Sequence, residues 1–483
     1  MLEKYRQLER RLAGEQQTFA QPLRSLVQRA PVTCAPDRTL AEVAALMRQE
    51  GVGSVVVLDA RSRPVGIVTS HDMVGVVAGS AAAAPVAQAM SREPVSLPAH
   101  ALAYEAAVTM LARRIRHVLV MDEGRLVGVV SERDLFSLQR LGLGEITMEL
   151  RLAGEIPVLA GLAAEIRKLT RRLVEQGVAP EQLTLFVSVL NDRLSQRAIE
   201  IVRKRHELER ISWCWLAFGS EGRFEQTLAT DQDNGLMFAA HDGATPGQVR
   251  ARLLPFAREV NAALDACGFP LCKGNVMASN PELCLSLDEW RAKMSGWIEV
   301  SLPKALLDAA ICFDFRALYG DAPLAVALRD WVGGRVKRHP AFLRHMAEAA
   351  LQARPALNRF GGFAAEDAPG APETINLKLH GARIVVDAAR IYALAKGLPQ
   401  TSTAERLRGA FSGGTTEVVS AVAAFYLIQR LRLEAQLPGP GSGDETINRV
   451  APGRLDRVTQ AGLKEALRVA RELQSRLALD YQL

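Results

Sequence analysis

The stretch LAFGSEGRFEQTLATDQDN (216–234) decides the fold of the second half of this chain. An apolar run ends at Gly219-Ser220, where a glycine lets a phosphate approach the main chain and a helix start presents N–H groups to it. Asp231 and Asp233 lie two residues apart, so on an extended strand both carboxylates point to one side and can hold Mg²⁺ or Mn²⁺. Taken singly, Gly-Ser is a common turn and TDQDN an Asx-rich loop. Together they predict a site for a phosphate and a metal ion.

The segments around this stretch differ in periodicity. Residues 213–320 alternate strand and helix patterns, starting with WCWLAF and NGLMFAA and continuing with a long helix from Pro246 to Cys267. Residues 145–210 predict two or three amphipathic helices, which we interpret as a spacer. After 320 the pattern is helical, with Gly- and Pro-rich loops at 359–374 and 437–446. The second half is therefore an α/β segment between helical regions.

An internal repeat organises the first half. One copy runs from about 31 to 74 and the other from about 94 to 136, each with an extended start, a helix and two β-branched strands. The matching pairs are Val32 with Val95, Val56 with Leu119, Asp59 with Asp122, Gly66 with Gly128 and Asp72 with Asp134.

Each copy ends in Gly, two hydrophobic residues and Thr/Ser-x-x-Asp: Thr69 and Asp72 in the first, Ser131 and Asp134 in the second. A hydroxyl and N–H groups at a helix start suit an anion, and an aspartate three residues later can accept hydrogen bonds from a ribose diol. In a single copy the same pattern is a capping box. The basic pair Arg116-His117 either adds charge near a phosphate or lies on the surface.

Composition limits the classes of protein that remain. With 483 residues the chain should form about three domains, and 48% hydrophobic residues indicate a folded protein. The amino terminus has no apolar targeting segment, and the six cysteines have no CxxC spacing, so we expect a cytoplasmic location without membrane or zinc. The 59 basic and 53 acidic residues are scattered, which disfavours nucleic acid as a partner.

Residues 23–140 resemble a CBS pair, or Bateman module. The resemblance implies that Thr69, Asp72, Ser131 and Asp134 hold the phosphate and ribose of AMP, ATP or a related adenosyl ligand. It also implies a homodimer through the helices of the pair.

Residues 145–483 resemble the bacterial putative nucleotidyltransferases that follow CBS pairs, relatives of the amino-terminal domain of protein-PII uridylyltransferase. The resemblance implies a nucleotidyltransferase fold followed by a helical substrate-binding domain. It rests on GSEGRFEQTLATDQDN, NDRL (191–194), KGNVMASNP (273–281), Asp314-Phe315-Arg316 and NLKLHGARIVVDAARIYALA (376–395).

The same resemblance implies roles for single residues. Gly219 and Ser220 would bind the β- and γ-phosphates of an NTP, Arg223 would add positive charge, and Asp231 and Asp233 would hold the metal. Ser220, Arg223 and the two aspartates would form the catalytic set.

In the helical domain, Lys378 and Arg383 would lie near phosphate. The alternative for Arg383 is a surface ion pair with Asp387, four residues along the same helix.

One feature departs from the pattern of the nucleotidyltransferase superfamily. Its members usually supply a third carboxylate to the active site from a later strand. The segment that we align there, Phe269–Val276, contains no acid. Asp314 could replace it if the chain returns to the site; otherwise the domain would bind nucleotide without transferring it.

The sequence therefore predicts an α+β multidomain protein. Its parts are an N-terminal helix or tail (1–22), a CBS pair (23–140), a helical spacer (141–210), a mixed-sheet nucleotidyltransferase-like domain (211–325) and a helical substrate-binding domain (326–483). The predicted reaction is Mg²⁺-dependent transfer of a nucleoside monophosphate from an NTP to a hydroxyl acceptor, such as a signalling protein, gated by adenine nucleotide. The alternatives are a non-catalytic nucleotide sensor that regulates a partner protein and an enzyme acting on RNA ends.

Overall fold

The computed structural model divides into two compact units, Met1–Thr147 and Met148–Leu483. The structure describes residues 21–27, 29–70, 72–73, 83–113, 115–137, 143–239, 243–300, 306, 310–368, 371–411, 416–437 and 447–483. The predicted N-terminal helix or tail lies almost wholly outside these residues, as does most of the predicted loop at 437–446. No helix within the described ranges is long and apolar enough to cross a bilayer.

The two sequence repeats of the first unit fold alike. The first repeat contains β1 (Thr33–Cys34), α2 (Leu40–Glu50), β2 (Ser54–Leu58) and β3 (Pro64–Thr69), after a short leading helix α1 (Leu23–Leu26). The second repeat contains β5 (Ser96–Pro98), α3 (Ala103–Arg113), β6 (His117–Asp122), β7 (Arg125–Ser131) and α4 (Glu132–Ser137). In each copy the first strand pairs in parallel and the last two are antiparallel.

The residue pairs matched in the sequence occupy equivalent places. The amide of Val56 donates to the carbonyl of Val32 at 3.0 Å. In the second repeat, the amide of Leu119 donates to the carbonyl of Val95 at 2.9 Å. Val56 and Leu119 also share an apolar cluster with Ile67, so the strands of both repeats contribute to one core. The repeat predicted from the sequence is a structural repeat.

Each repeat is covered by the segment that leads into the other. The short strand β4 (Ser91–Arg92) pairs with β3, and Met90 lies against Gly66, where a Cβ atom would collide with its side chain. In the second repeat Val27 covers Gly128 in the same way, at 2.5 Å from an added Cβ. The two leading segments are therefore exchanged between the repeats.

The second unit begins with helices and contains a four-stranded mixed sheet. The helices before the sheet are α5 (Leu143–Leu152), α6 (Ile156–Glu175) and α7 (Pro180–Arg203). The sheet and its helices are β8 (Trp213–Ala217), α8 (Gly219–Gly222), β9 (Asn234–Phe238), α9 (Pro246–Ala266), β10 (Cys284–Ser286), α10 (Leu287–Val300) and β11 (Arg316–Gly320). The strand order is β10-β9-β8-β11, with only β10 and β9 parallel.

The rest of the unit is helical apart from one small antiparallel sheet. Its elements are α11 (Ala322–Arg338), α12 (Pro340–Ala350), β12 (Glu366–Ala368), β13 (Ala371–Asn376), α13 (Arg383–Lys396), α14 (Thr403–Ala410), α15 (Thr416–Ala435), β14 (Arg449–Val450) and α16 (Arg457–Asp480). The α+β multidomain architecture predicted from the sequence is confirmed.

The sheet and the helical region share one apolar core. Phe218 and Trp290 from the sheet side belong to the same buried cluster as Phe342, Phe425 and Leu467 from the helices. The predicted spacer is part of this unit too, because α7 packs on α9 and β11. Helices from both sides therefore surround the carboxyl end of β8, where the Gly-Ser turn lies.

Candidate active site

Asp231 and Asp233 lie directly before β9, at the open end of the mixed sheet. The residues between and after them point the other way. Gln232 donates to the carbonyl of Asn261 at 3.0 Å, and the Asn261 amide donates to Oδ1 of Asn234 at 3.0 Å. This buried amide network fixes the alternation, so the two aspartates share the opposite side, as their spacing predicts.

A cysteine completes a group of three ligand atoms at this place. The carboxylate oxygens of Asp231 and Asp233 and Sγ of Cys272 all lie within 4.8 Å of one another. Cys272 belongs to the segment Phe269–Val276, which we predicted as a strand; it is irregular, but its Pro270 carbonyl accepts from the amide of Gln232 at 3.0 Å. The thiol thus stands where the sequence led us to look for a third carboxylate.

The surroundings of Asp233 disfavour its charged form. Burial and the charge of Asp231 raise the pKa of Asp233 to about 7, against the opposing effects of a hydrogen bond with Cys272 and the charges of Lys378 and Arg223. A bound cation would remove this penalty, because it compensates both carboxylates.

The Gly-Ser turn lies against the aspartates. Gly219 has φ +54°, and a Cβ atom there would lie 2.9 Å from Cδ1 of Ile311 and 3.0 Å from Oδ2 of Asp233. Ser220 follows in the first turn of α8 and is half-buried. At Gly222 a Cβ atom would collide with the carbonyl oxygen of Asp314. Only glycine fits at both positions, because protein atoms already occupy the space that a side chain would need.

Asp314 does return to this region, but its carboxylate contacts arginines and not Asp231 and Asp233. Its fully buried carboxylate accepts from Arg390 at 2.9 and 2.6 Å, from Arg406 at 2.5 Å and from Arg223 at 2.6 Å. Burial alone would raise the pKa of Asp314, but the three arginines outweigh it and hold the pKa well below its usual range. Asp314 is therefore not a replacement for the third carboxylate.

Arg223 also has a different position from the one we expected. Its Nη1 donates to Asp314, its Nε donates to Glu225 at 2.7 Å, and its side chain is only 12% exposed. The other oxygen of Glu225 accepts from the amide of Thr403 at 2.6 Å. Through these buried contacts Arg223 links the Gly-Ser turn to Asp314 and Glu225, and its charge also acts on Asp233; a role at an NTP phosphate stays a prediction.

The helical region brings one of its two predicted basic residues to the site. Lys378 starts a π-helical turn (Lys378–Ala382) before α13, and its charge lowers the pKa of Asp233. Such turns occur often at functional sites. Arg383 pairs instead with Asp387 on its own helix, at 3.3 Å, which is the alternative that we had considered.

Helix α7 contacts the segment that follows the Gly219-Ser220 turn. Asp192 accepts from Arg316 at 2.7 Å, and Arg316 donates at 2.9 Å to the carbonyl of Glu221 and lies 3.8 Å from the ring centre of Phe224. Asn191 donates to Gln226 at 3.2 Å. The NDRL motif therefore acts through contacts with the segment that links the Gly-Ser turn to the aspartates.

In the first unit, the predicted nucleotide residues of both repeats have the same geometry. The amide and hydroxyl of Thr69 both donate to Asp72 at 2.8 Å, and those of Ser131 donate to Asp134 at 2.8 and 2.6 Å. In this arrangement each aspartate holds its own Thr or Ser at a helix start, which is the capping-box alternative. The hydroxyl, the helix start and the carboxylate still lie together in each copy.

Arg116 and His117, at the start of β6, were expected either to add charge near a phosphate or to lie on the surface, and the two residues differ. Arg116 is exposed, whereas His117 is half-buried. Burial lowers the pKa of His117, although the charges of Asp134 and Asp72 act in the opposite direction. His117 thus interacts electrostatically with Asp72 and Asp134, the predicted ribose-binding aspartates of the two repeats.

Comparison with protein families matches both halves of the second unit. The family described as "Putative nucleotidyltransferase DUF294" matches residues 164–304, and "Putative nucleotidyltransferase substrate binding domain" matches residues 340–481. The chain belongs to this nucleotidyltransferase family. In the first unit, "CBS domain" matches residues 23–79 and 86–140, so this family member carries a CBS pair.

Curated relatives of this family member share parts of its length. An uncharacterised 17.7 kDa protein of Acidianus ambivalens is 30% identical over 132 residues, which are 26% of this chain and 80% of that protein. Inosine-5'-monophosphate dehydrogenase of Mycobacterium leprae is 33% identical over 150 residues, 31% of this chain but only 27% of the enzyme. Among solved structures, a CBS domain protein from Pyrobaculum aerophilum complexed with AMP is 30% identical and covers 26% of this chain and 99% of its own, with a TM-score of 0.24.

Sequence reasoning missed Cys272 beside the aspartates and the two arginines that hold Asp314, Arg390 and Arg406. Cys272 lies in the segment aligned with the missing carboxylate, so that alignment could have found it had sulfur been considered a ligand. Arg390 showed only helical spacing beside Asp387, and Arg406 gave no signal, because nothing local indicates that either reaches Asp314.

Proposed function

We propose that this protein transfers a nucleoside monophosphate from an NTP to a hydroxyl group of an acceptor, such as a tyrosine or serine of a signalling protein, as a protein-PII uridylyltransferase does. The observation that carries the proposal is the meeting of the Gly219-Ser220 turn with Asp231 and Asp233 within one end of the sheet. Lys378 adds a positive charge beside them. This set suits a triphosphate and a cation together.

The donor atoms at the aspartate pair fit a divalent cation. Two carboxylates, with water and substrate phosphates as further ligands, are a usual set for Mg²⁺, and Mn²⁺ accepts the same oxygens and tolerates a nearby sulfur better. Asp231 and Asp233 would hold the ion. When bound, it neutralises charge on the triphosphate and on the departing pyrophosphate.

The chain's own residues would position the reactants. Backbone N–H groups at Gly219 and Ser220 would bind the β- and γ-phosphates, and Lys378 would compensate charge from the helical side. The acceptor oxygen forms a bond to the α-phosphorus while the bond from that phosphorus to the β-phosphate oxygen breaks. Pyrophosphate leaves, and the hydroxyl proton passes to water.

The CBS pair would regulate this reaction by binding AMP or ATP. Thr69 with Asp72 and Ser131 with Asp134 would hold phosphate and ribose in their respective repeats. Regulation requires that the nucleotide bind the active and inactive arrangements with different affinities. We also propose that the pair mediates a homodimer, which light scattering would test.

A non-catalytic nucleotide sensor remains the second candidate. Two observations favour it: Cys272 takes the place of the third carboxylate, and Asp314 is enclosed by arginines. In that case both nucleotide sites would serve only to change the binding of a partner protein.

Labelling with α-³²P NTPs decides between the two. Wild type, Asp231→Asn/Asp233→Asn and the control Asp265→Asn, which neutralises an exposed acid on α9, are incubated with Mg²⁺ or Mn²⁺ and cell extract. Transfer predicts labelled macromolecules with wild type and the control but not with the double variant. Metal-dependent NTP binding without any labelling would favour the sensor.

The same assay tests regulation. AMP or ATP should change the labelling rate of wild type, and Asp72→Ala/Asp134→Ala should lose both this response and AMP binding in a direct titration. An unchanged response in that variant would contradict nucleotide regulation through these residues.

A further inference from the structure

Arg432 on α15 is a buried cation whose hydrogen-bond partners are neutral amides. It is 8% exposed, and it donates from Nε to Oδ1 of Asn448 at 3.0 Å and from Nη1 to Oε1 of Gln429 at 2.5 Å. Within the described part of the chain, no acid lies at ion-pair distance from it. The guanidinium keeps these two hydrogen bonds, but its charge has no ion-pair partner among the described residues.

The neighbouring arginines make Arg432 unusual. The charges around Asp314 form a balanced set of three arginines and three acids, in which each arginine has an acidic partner: Arg223 with Glu225 and Asp314, Arg390 with Asp314 and Asp387, and Arg406 with Asp314. Arg432 is one positive charge in excess of that set. Burial and the charge of Arg223 lower the pKa of Arg432 to about 10, against the opposing effect of Glu225, whereas the pKa of the doubly paired Arg390 is raised.

The contacts of Arg432 lead to both sides of the candidate active site. Asn448 also accepts from Gln436 at 3.2 Å, and Gln436 accepts from the amide of Ala229, two residues before Asp231, at 3.1 Å. The carbonyl of Asn448 accepts from the amide of Leu377, next to Lys378, at 2.9 Å. Arg432 thus lies between the loop that carries the aspartates and the turn that carries Lys378.

We propose that Arg432 is an anion subsite that binds a phosphate group of the nucleotide's polyphosphate, with Gln429 and Asn448 orienting its guanidinium. The inference rests on the proposed function, and it assigns to the helical region the recognition of the donor's phosphates. The planar guanidinium matches phosphate oxygens, and amide partners fix its direction without neutralising its charge.

Two variants test the subsite without relying on transfer. Arg432→Gln removes the charge, and Gln429→Glu keeps the arginine but supplies an acid where Nη1 already has an acceptor at 2.5 Å. The control, Arg430→Gln, removes an exposed arginine of the same helix that pairs with Glu434. Binding of pyrophosphate, of NTP with Mg²⁺ and of phosphoserine is measured by calorimetry.

We expect Arg432→Gln and Gln429→Glu each to weaken pyrophosphate and NTP binding by about 10- to 100-fold, as loss of a charged hydrogen-bond partner does, while Arg430→Gln binds like wild type. Without ligand, Arg432→Gln should unfold at the same or a higher denaturant concentration, because an uncompensated charge is gone. A purely structural arginine predicts lower stability with unchanged affinity, which would overturn the proposal.

The remaining outcomes also decide. If Arg432→Gln does not fold, Gln429→Glu with wild-type affinity overturns the subsite. Weakening confined to phosphoserine would show that Arg432 binds a phosphorylated group other than the donor and would overturn the donor assignment, as would a wild type that binds neither pyrophosphate nor NTP. Arginine-dependent pyrophosphate binding in a protein that labels nothing would instead contradict only the proposed transfer.

Discussion

Asp233 and Asp314 belong to one unit and have opposite surroundings. Asp233 lies beside Asp231, and burial with that second acid raises its pKa to about 7. Asp314 is enclosed by Arg223, Arg390 and Arg406, and its pKa is held well below its usual range. The charge of Asp314 is compensated by three arginines, whereas burial and Asp231 disfavour the charge of Asp233. The difference separates an aspartate with a structural role from one whose charge a bound cation would compensate.

The largest expected effect is the loss of stability in Asp314→Asn. The substitution leaves three buried arginines with too little negative charge, so we expect a loss of about 3–5 kcal/mol in the free energy of unfolding. All five tryptophans lie between 213 and 331, so denaturation followed by their fluorescence reports on the second unit. The exposed control Asp265→Asn should leave the free energy of unfolding unchanged. A loss for Asp314→Asn as small as that of the control would remove the contrast.

In the same measurement, the change in the free energy of unfolding should not be a loss for Asp233→Asn. Without divalent cations at pH 8, the variant should be as stable as wild type or more stable, because a repelled carboxylate is replaced by a neutral amide. Adding Mg²⁺ or Mn²⁺ should stabilise wild type and not the variant. If Asp233→Asn is destabilised as strongly as Asp314→Asn, the two aspartates do not differ in kind.

Glu221 extends the comparison to pH. Burial and the charge of Asp192 raise its pKa to about 8, so between pH 4.5 and 8 the folded state retains a proton that the unfolded state has lost. Stability should therefore fall as pH rises through this window, on the order of 5 kcal/mol in total, and the contribution is gone above pH 8. Glu221→Gln should flatten this slope in urea denaturation at pH 5, 6.5 and 8. A variant with the wild-type slope would place the proton elsewhere.

The smallest expected effect concerns Cys272. Replacing its soft sulfur with a carboxylate in Cys272→Asp should increase the affinity for Mg²⁺ by about tenfold, because Mg²⁺ prefers oxygen ligands. Cys272→Ser controls for loss of the thiol. Titration of both variants with Mg²⁺ and Mn²⁺ measures the change, and equal affinities in all three proteins would show that residue 272 does not contact the ion.

Local patterns in the sequence predicted much of this arrangement. The two CBS repeats were visible because matched residues such as Val56 and Leu119 repeat with a constant context, and their register follows from the same alternation. The orientation of Asp231 and Asp233 was predictable because side chains alternate along a strand. Gly219 was recognisable because a close approach of backbone and ligand requires glycine.

Contacts between distant segments were not predictable in the same way. Arg223 looks like a phosphate ligand from its neighbours, but its partner Asp314 is 91 residues away. Asp314 in turn bonds Arg390 and Arg406, which lie on two different helices of the other domain. Cys272 reached the aspartates through an irregular segment, where no periodicity indicates which side chain turns inward.

Because the leading segments of the CBS pair are exchanged, we expect the smallest fragment of the pair that folds to contain both of them. A fragment beginning at residue 31 would lack Val27 over Gly128, and one ending before residue 90 would leave Gly66 uncovered. We therefore expect that neither repeat folds alone, although their folds are alike. Deletions in either leading segment should destabilise the opposite repeat.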